Sequence, residues 1–202
     1  ADSDNSVGQN TLLPPWYRKR GYLHFDLPLG IKSATTLVAR SSRVAEHSFY
    51  PLLKYLIVTE KIAKEEGSQT LARKKKERPI AYAAHADSHI YAYYAFTIGE
   101  KYEREIRRRG IDNSILAFRT LGKSNIEFAR DAFEDIAIRG DCDVVGIDVT
   151  SFFDELNHRI LKEQWASLLN ADLLPDDHYR VFQSITRWSW VDRDKVYELF
   201  GI

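Results

Sequence analysis

Residues 143–158 read Asp-Val-Val-Gly-Ile-Asp-Val-Thr-Ser-Phe-Phe-Asp-Glu-Leu-Asn-His, a β-branched apolar run that ends on a carboxylate, Asp148. A carboxylate at the C-terminal end of a buried strand is a hard oxygen donor. Two divalent cations held by such donors about 3.5 to 4 Å apart can activate both oxygens of an in-line phosphoryl displacement. The same aspartate at a strand-to-turn junction is equally suited to capping the next helix. Asp154 is read as the cap of the helix that follows, and His158 as a packed or hydrogen-bonded side chain. His24, His85 and His89 lack the ligand spacing of a zinc site and are read as structural. Cys142, flanked by Asp141 and Asp143, has the wrong electrostatics for a nucleophile.

The elements that must position this segment follow from periodicity. Residues 143–149 predict a short buried strand, 150–154 a turn, and the apolar positions Leu156, Ile160, Leu161, Trp165, Leu168 and Leu169 a helix. Upstream, Ser124-Asn125-Ile126-Glu127 is a capping box. It opens a helix with Ile126, Ala129, Phe133, Ile136 and Ala137 on one face and a stop at Gly140. Ile115 to Phe118 is a strand candidate. A long helix is expected from a cap at Asp87 or Ser88 to Arg109, stopped by Gly110, its many rings (Tyr91, Tyr93, Tyr94, Phe96, Tyr102) packing a core.

Earlier still, Phe49 to Glu66 predicts a helix with Pro51 in its first turn and Gly67 as its end. Tyr22 to Asp26 alternates in strand fashion before Pro28, and residues 1–15 form a polar arm. The run Arg73-Lys74-Lys75-Lys76-Glu77-Arg78 is expected in a loop, solvated or in contact with phosphates. After residue 169, Asp176-Asp177 look like a helix start, a helix includes Tyr179, Phe182 and Ile185, and Asp192 begins a last turn towards Gly201.

Composition narrows the function classes. The chain has 202 residues, 44% of them apolar and 12% aromatic, which favours a packed core over disorder. One cysteine excludes an internal disulfide framework and a cysteine-rich zinc module, so a reducing, cytoplasmic setting is expected. No apolar run reaches the roughly 18 residues that span a bilayer, and the N-terminus has no signal-peptide pattern. Net charge is zero, yet residues 1–110 carry 19 basic and 12 acidic side chains, against 10 and 17 in residues 111–202. Such an asymmetry suits a basic half that faces a polyanion and an acidic half that gathers cations. A start at Ala1 and the absence of methionine suggest a piece of a longer protein.

Asp148-Val149-Thr150-Ser151-Phe152-Phe153-Asp154, with His158 four residues on, resembles the first palm motif of reverse transcriptases, in particular the bacterial enzymes related to group II introns, retrons and phage defence. Arg78-Pro79-Ile80 with Asp87 and Ile90 resembles their first fingers motif. Ala117-Phe118-Arg119 to Gly122-Lys123-Ser124-Asn125 resembles the second. The resemblance implies an α/β (α+β) fold, mostly helical in this piece. Residues 1–72 would form an N-terminal extension, 73–140 the fingers, and 141–202 the incomplete start of a right-hand polymerase palm.

It further implies two Mg²⁺ ions on Asp148, with the carbonyl of Val149 completing one metal shell. Phe153 would be the gate that excludes a ribose 2′-hydroxyl, and Arg78 would lie on the triphosphate of a dNTP. Lys74, Lys75 and Lys76 offer a further phosphate contact. Arg119 and Lys123 are assigned to nucleotide or template, or equally to the surface. The implied partners are an RNA template, a primer and dNTP, with no membrane and with the oligomeric state open, in a setting of antiviral defence. The departure is large: the family's later Tyr-x-Asp-Asp hairpin and Gln-Gly motif are absent from the sequence. The chain by itself is therefore expected to be inactive. The alternative is a non-catalytic nucleic-acid-binding module of the fingers and palm type.

Overall fold

The computed structural model describes residues 13–64 and 71–202; the expected N-terminal arm up to residue 12 and the expected helix stop at Gly67 lie outside the described residues. The fold is α+β: seven α-helices and one three-stranded sheet among the described residues. Residues 13–30 run without regular structure, so Tyr22 to Asp26 is not the expected strand. They lead into α1 (Ile31–Val38) and α2 (Ser41–Ala45).

Residues 52–64 do not take the helical form expected of 49–66. They form strand β1 (Leu52–Lys64), not a helix, and pair antiparallel with β2 (Leu71–Tyr82) in a register running from Leu53↔Tyr82 to Lys64↔Leu71. Leu56, Ile57, Val58 and Ile62 are all exposed, so apolar residues stand on both faces of the hairpin. That two-sided pattern mimics a wide helical stripe, while the β-branched Ile57-Val58-Thr59 run prefers the pleated strand. The basic run therefore lies in a strand, not a loop. Glu60 faces Lys75 across the ladder, an opposite-charge pair of the kind that supports an antiparallel register. Strand order is β2-β1-β3, so β2 is an edge, where Pro79 is tolerated because it owes no outward hydrogen bond. The third strand, β3 (Trp190–Asp192), joins β1 in parallel through Leu52↔Trp190.

Helix α3 (His85–Arg108) is the central beam. Its start is not capped by Asp87 or Ser88. Instead Asp26, on the irregular N-terminal segment, accepts the N–H groups of His85 and Ala86, each at 3.0 Å. Asp87, fully buried in the first turn, accepts the N–H of Tyr50 at 2.9 Å, and its Oδ1 lies 2.6 Å from His47 Nε2. At the other end Gly110 takes φ +67°, the left-handed conformation that lets a helix terminate without a Cβ clash. Ile90 and Tyr94 face a core shared with Trp16, Ala34, Val38, Val44, Trp165, Val181 and Phe182. Four of the five rings expected in this role pack the core or its margin, Tyr91, Tyr93 and Phe96 being partly buried against it beside buried Tyr94, whereas Tyr102 lines a cleft farther along α3. The boundary expected at residue 72 falls inside β2, and the core draws side chains from all three expected segments.

Beyond α3 lies a 3-10 turn (Asp112–Ser114) and then α4 (Asn125–Arg139), which carries the expected capping box of Ser124 and Glu127. On its apolar face Ile126 and Phe133 are exposed, uncovered by any of the described residues. The two short strands expected at 115–118 and 143–149 do not form, and Ile147 is 88% exposed. A strand is stable only where a neighbour completes its hydrogen-bond ladder, and no described strand lies alongside either segment. Helix α5 (His158–Leu168) is capped by Asn157, whose Oδ1 accepts from Arg159 and Ile160, so Asp154 is not the cap. Helix α6 (Asp176–Thr186) starts at the expected Asp176-Asp177 and includes Tyr179, Phe182 and Ile185, and the expected last turn after Asp192 is helix α7 (Arg193–Phe200), capped by Asp192 and closed by Gly201. No helix among the described residues is long and apolar enough to cross a membrane.

Candidate active site

Asp148 lies on an irregular segment that runs into a tight turn. Asp154 and Glu155 donate their N–H groups to the carbonyl of Ser151 at 2.9 and 3.0 Å, and Ser151 itself takes φ +54°. The turn folds Phe152 and Phe153 against each other, with ring centroids 5.4 Å apart at 72°. Together Ile147 to Val149 and Ser151 to Asp154 line a shallow hollow of about 590 Å³. Asp148 and Phe153, five positions apart in sequence, thus share one open surface.

Phe118 reaches the same place. Its ring meets that of Phe153 edge-on at 6.3 Å, and its backbone takes φ +58°, an uncommon conformation for an aromatic residue. This contact brings the Ala117-Phe118-Arg119 segment beside the Asp148 segment. Edge-to-face aromatic pairs of this kind contribute about 0.5–1.5 kcal/mol beyond area burial where solvent is excluded. Here both rings are largely exposed, Phe118 at 95%.

The cationic residues are distributed differently. Arg119 points away from this surface: its guanidinium makes a two-pronged pair with Glu103 at 2.6 and 2.9 Å and also donates to the carbonyls of Asp112 and Ile115. Four of its five N–H groups are used in fastening the 111–119 segment to α3. Glu103 is held below the usual carboxylate range, first by the hydrogen bond from Arg119. Lys123 pairs with Asp131 on α4. Arg78 sits on β2 opposite Ile57, exposed together with Lys75 and Lys76. Lys74 stands opposite Lys61 in the register.

A pair of divalent ions needs several oxygen donors converging on each ion. Asp148 and the carbonyl of Val149 supply two, and no group of three His, Cys, Asp or Glu side chains that could hold a metal ion is gathered among the described residues. The donors on this segment do not by themselves fit a two-ion centre.

The sequence reading missed two features. One is the network of Asp26 with His24 and His85: their Nδ1 atoms lie 2.9 and 2.8 Å from Asp26 Oδ1. His24 is two residues from Asp26, but His85 is 59 residues away along the chain, and no local pattern announces that contact. The other is the C-terminal half of α3, where Lys101, Arg104, Glu105 and Arg108 recur at i, i+3, i+4 and i+7 and so share one face. That spacing was legible. No family model matches the chain, and no curated protein matches it.

Proposed function

We propose that the chain is part of an RNA-directed DNA polymerase, with the N-terminal extension, fingers and first part of the palm of a bacterial reverse transcriptase that works in the cytoplasm in antiviral defence. In the complete enzyme a primer 3′-hydroxyl attacks the α-phosphorus of a dNTP, a P–O bond forms, and pyrophosphate leaves. The observation that supports this reading most is the ring contact of Phe118 with Phe153, since two of the three family-like segments then meet beside the Asp148 hollow. Exposed Arg78, Lys75 and Lys76 on β2 suit a phosphate backbone. Asp148 would bind Mg²⁺ there, with further donors required from outside the described residues.

Primer extension by the complete protein tests the proposal. Asp148→Ala is expected to abolish synthesis while RNA affinity stays within about twofold; synthesis at the parental rate would overturn it. Phe153→Ala is expected to relax discrimination between dNTP and rNTP. The second reading, a non-catalytic nucleic-acid-binding module, is favoured by the lack of a third carboxylate beside Asp148 and Asp154 among the described residues at the hollow. It predicts salt-sensitive RNA binding that weakens on replacing Lys75, Lys76 and Arg78 and does not respond to Asp148→Ala.

A further inference from the structure

A second cleft in the described fold shares no residue with the Asp148 hollow. It lies between the C-terminal half of α3 and the end of α5, with a volume of about 720 Å³. That is within the 300–1,000 Å³ typical of small-molecule sites and far more than one inorganic anion fills. Its α3 wall carries Lys101, Arg104, Arg108 and Arg109 against one acid, Glu105.

The arginines nearest the helix end are pre-set. Glu105 accepts from Arg108 at 2.7 and 2.8 Å and from Arg109 at 2.6 Å, which fixes both guanidiniums side by side. Those hydrogen bonds hold the Glu105 carboxyl down at about 2, so the bracket stays charged through the neutral range. Lys101 and Arg104 have no carboxylate partner among the described residues. One negative charge against four positive leaves the wall strongly cationic. Arginines in a helix's last turn also offset its dipole, but that role asks nothing of Lys101 and Arg104, one to two turns earlier.

The opposite wall is chemically different. Gln164, Ser167 and Asn170, from α5 and its end, are neutral donors and acceptors, and Ile111 and Ile115 give the cleft an apolar rim. Amide side chains can pair two-pronged with a base edge, and guanidiniums pair with phosphate oxygens. An acidic peptide would use the cations and leave the amides and apolar rim idle.

We propose that this cleft is a second ligand site that takes a nucleoside phosphate, its phosphate on the Lys101, Arg104 and Arg108 wall and its base towards Gln164 and Asn170. The nucleotide comes either free or within a single strand of nucleic acid. The inference does not depend on the polymerase reading, because none of these residues is among the site residues that reading names.

Calorimetry with AMP and anisotropy with a labelled hexa-adenylate RNA test it on the whole chain. The double variant Lys101→Glu/Arg104→Glu is expected to weaken AMP binding at least tenfold, while Arg78→Ala leaves it unchanged. Loss of tenfold in hexa-adenylate affinity with AMP silent in parent and variant assigns the site to a nucleic-acid strand. Arg104→Gln, which keeps helix propensity, serves if the double variant does not fold, with a loss of at least threefold expected. Affinities for both probes unchanged in the folded variant, no binding of either probe to the parent, or displacement of AMP by hexaglutamate at equal concentration would each overturn the proposal.

Discussion

The Asp26 carboxylate closes the N-terminus of α3 from a distance: one oxygen accepts the N–H of His85, at 3.0 Å, and the other that of Ala86. The first turn of a helix leaves its N–H groups unpaired, and a local Ser, Thr, Asp or Asn ordinarily meets them. Here Ala84 stands at the cap position with no side chain to offer, and the cap comes from the irregular N-terminal segment. The contact therefore ties that segment to the central helix while it stabilises the helix end.

Asp26→Ala should accordingly destabilise the chain by on the order of 2–3 kcal/mol, the sum of a lost cap and a lost charge-assisted hydrogen bond. Asp26→Asn, which keeps one acceptor, should lose about half of that. Urea unfolding followed by tryptophan fluorescence measures both, and a loss under about 0.5 kcal/mol for the alanine variant would show that the tie carries little.

Stability should fall on mild acidification. His24, His89 and His178 all lie below the ordinary value of 6.5, in each case chiefly because burial disfavours the imidazolium. Below about pH 6.5 the unfolded chain then binds more protons than the folded one, so stability drops with falling pH until the folded groups titrate, and is flat above pH 7 for these groups. Burial would raise Asp26, yet hydrogen bonds from the backbone of His85 and Ala86 hold it below 3.8. Its contribution is lost only as pH falls through that lower value. Neither ring nitrogen of His89, stacked on Tyr17 at 5.1 Å, has a hydrogen-bond partner among the described residues. His89→Phe should therefore keep the stack and flatten the slope of stability against pH between 5 and 6.5 by up to about 1.4 kcal/mol per pH unit. An unchanged slope would remove His89 from this account.

Arg119 should behave as a fastener. Arg119→Ala and Glu103→Ala are each expected to lower the unfolding midpoint and speed proteolysis near residues 111–119, and the double variant to be no worse than either alone. RNA affinity should stay within twofold of the parent. A selective loss of nucleotide or template binding with an unchanged midpoint would return Arg119 to the role the family resemblance implies.

Ile147→Lys should be nearly neutral, within about 0.5 kcal/mol, because Ile147 is 88% exposed. A buried strand at 143–149, as the sequence suggests, would instead lose several kcal/mol from the same change. Chemical unfolding of the single variant separates the two.

The legible parts of the fold were those with local punctuation. The capping box at Ser124 and Glu127, the aspartate before α7, and the glycines after α3 and α4 each satisfy a helix end within a few residues, so their signal is short-range. The hairpin was illegible as such because Leu56, Ile57, Val58 and Ile62 do not alternate, and neither of its faces is fully buried. The segment at Asp148 failed for the opposite reason. Its residues have strand propensity, but propensity alone cannot supply the neighbouring ladder. Of the candidate site, sequence order brought Asp148 and Phe153 together, whereas the Phe118 contact and the occupation of Arg119 by Glu103 depend on tertiary geometry.

The parallel pairing of Leu52 with Trp190 has a consequence for synthesis on the ribosome. β1 leaves the exit tunnel with β2 close behind, but β3 emerges only after most of the chain has been made. Until then the Leu52–Lys54 edge of the central strand presents unpaired N–H and carbonyl groups, an open edge of the kind that invites intermolecular pairing. Closure of that edge is a long-range event, slow in proportion to the loop it must bridge. A nascent chain stalled before residue 190 should thus be the species most dependent on a chaperone.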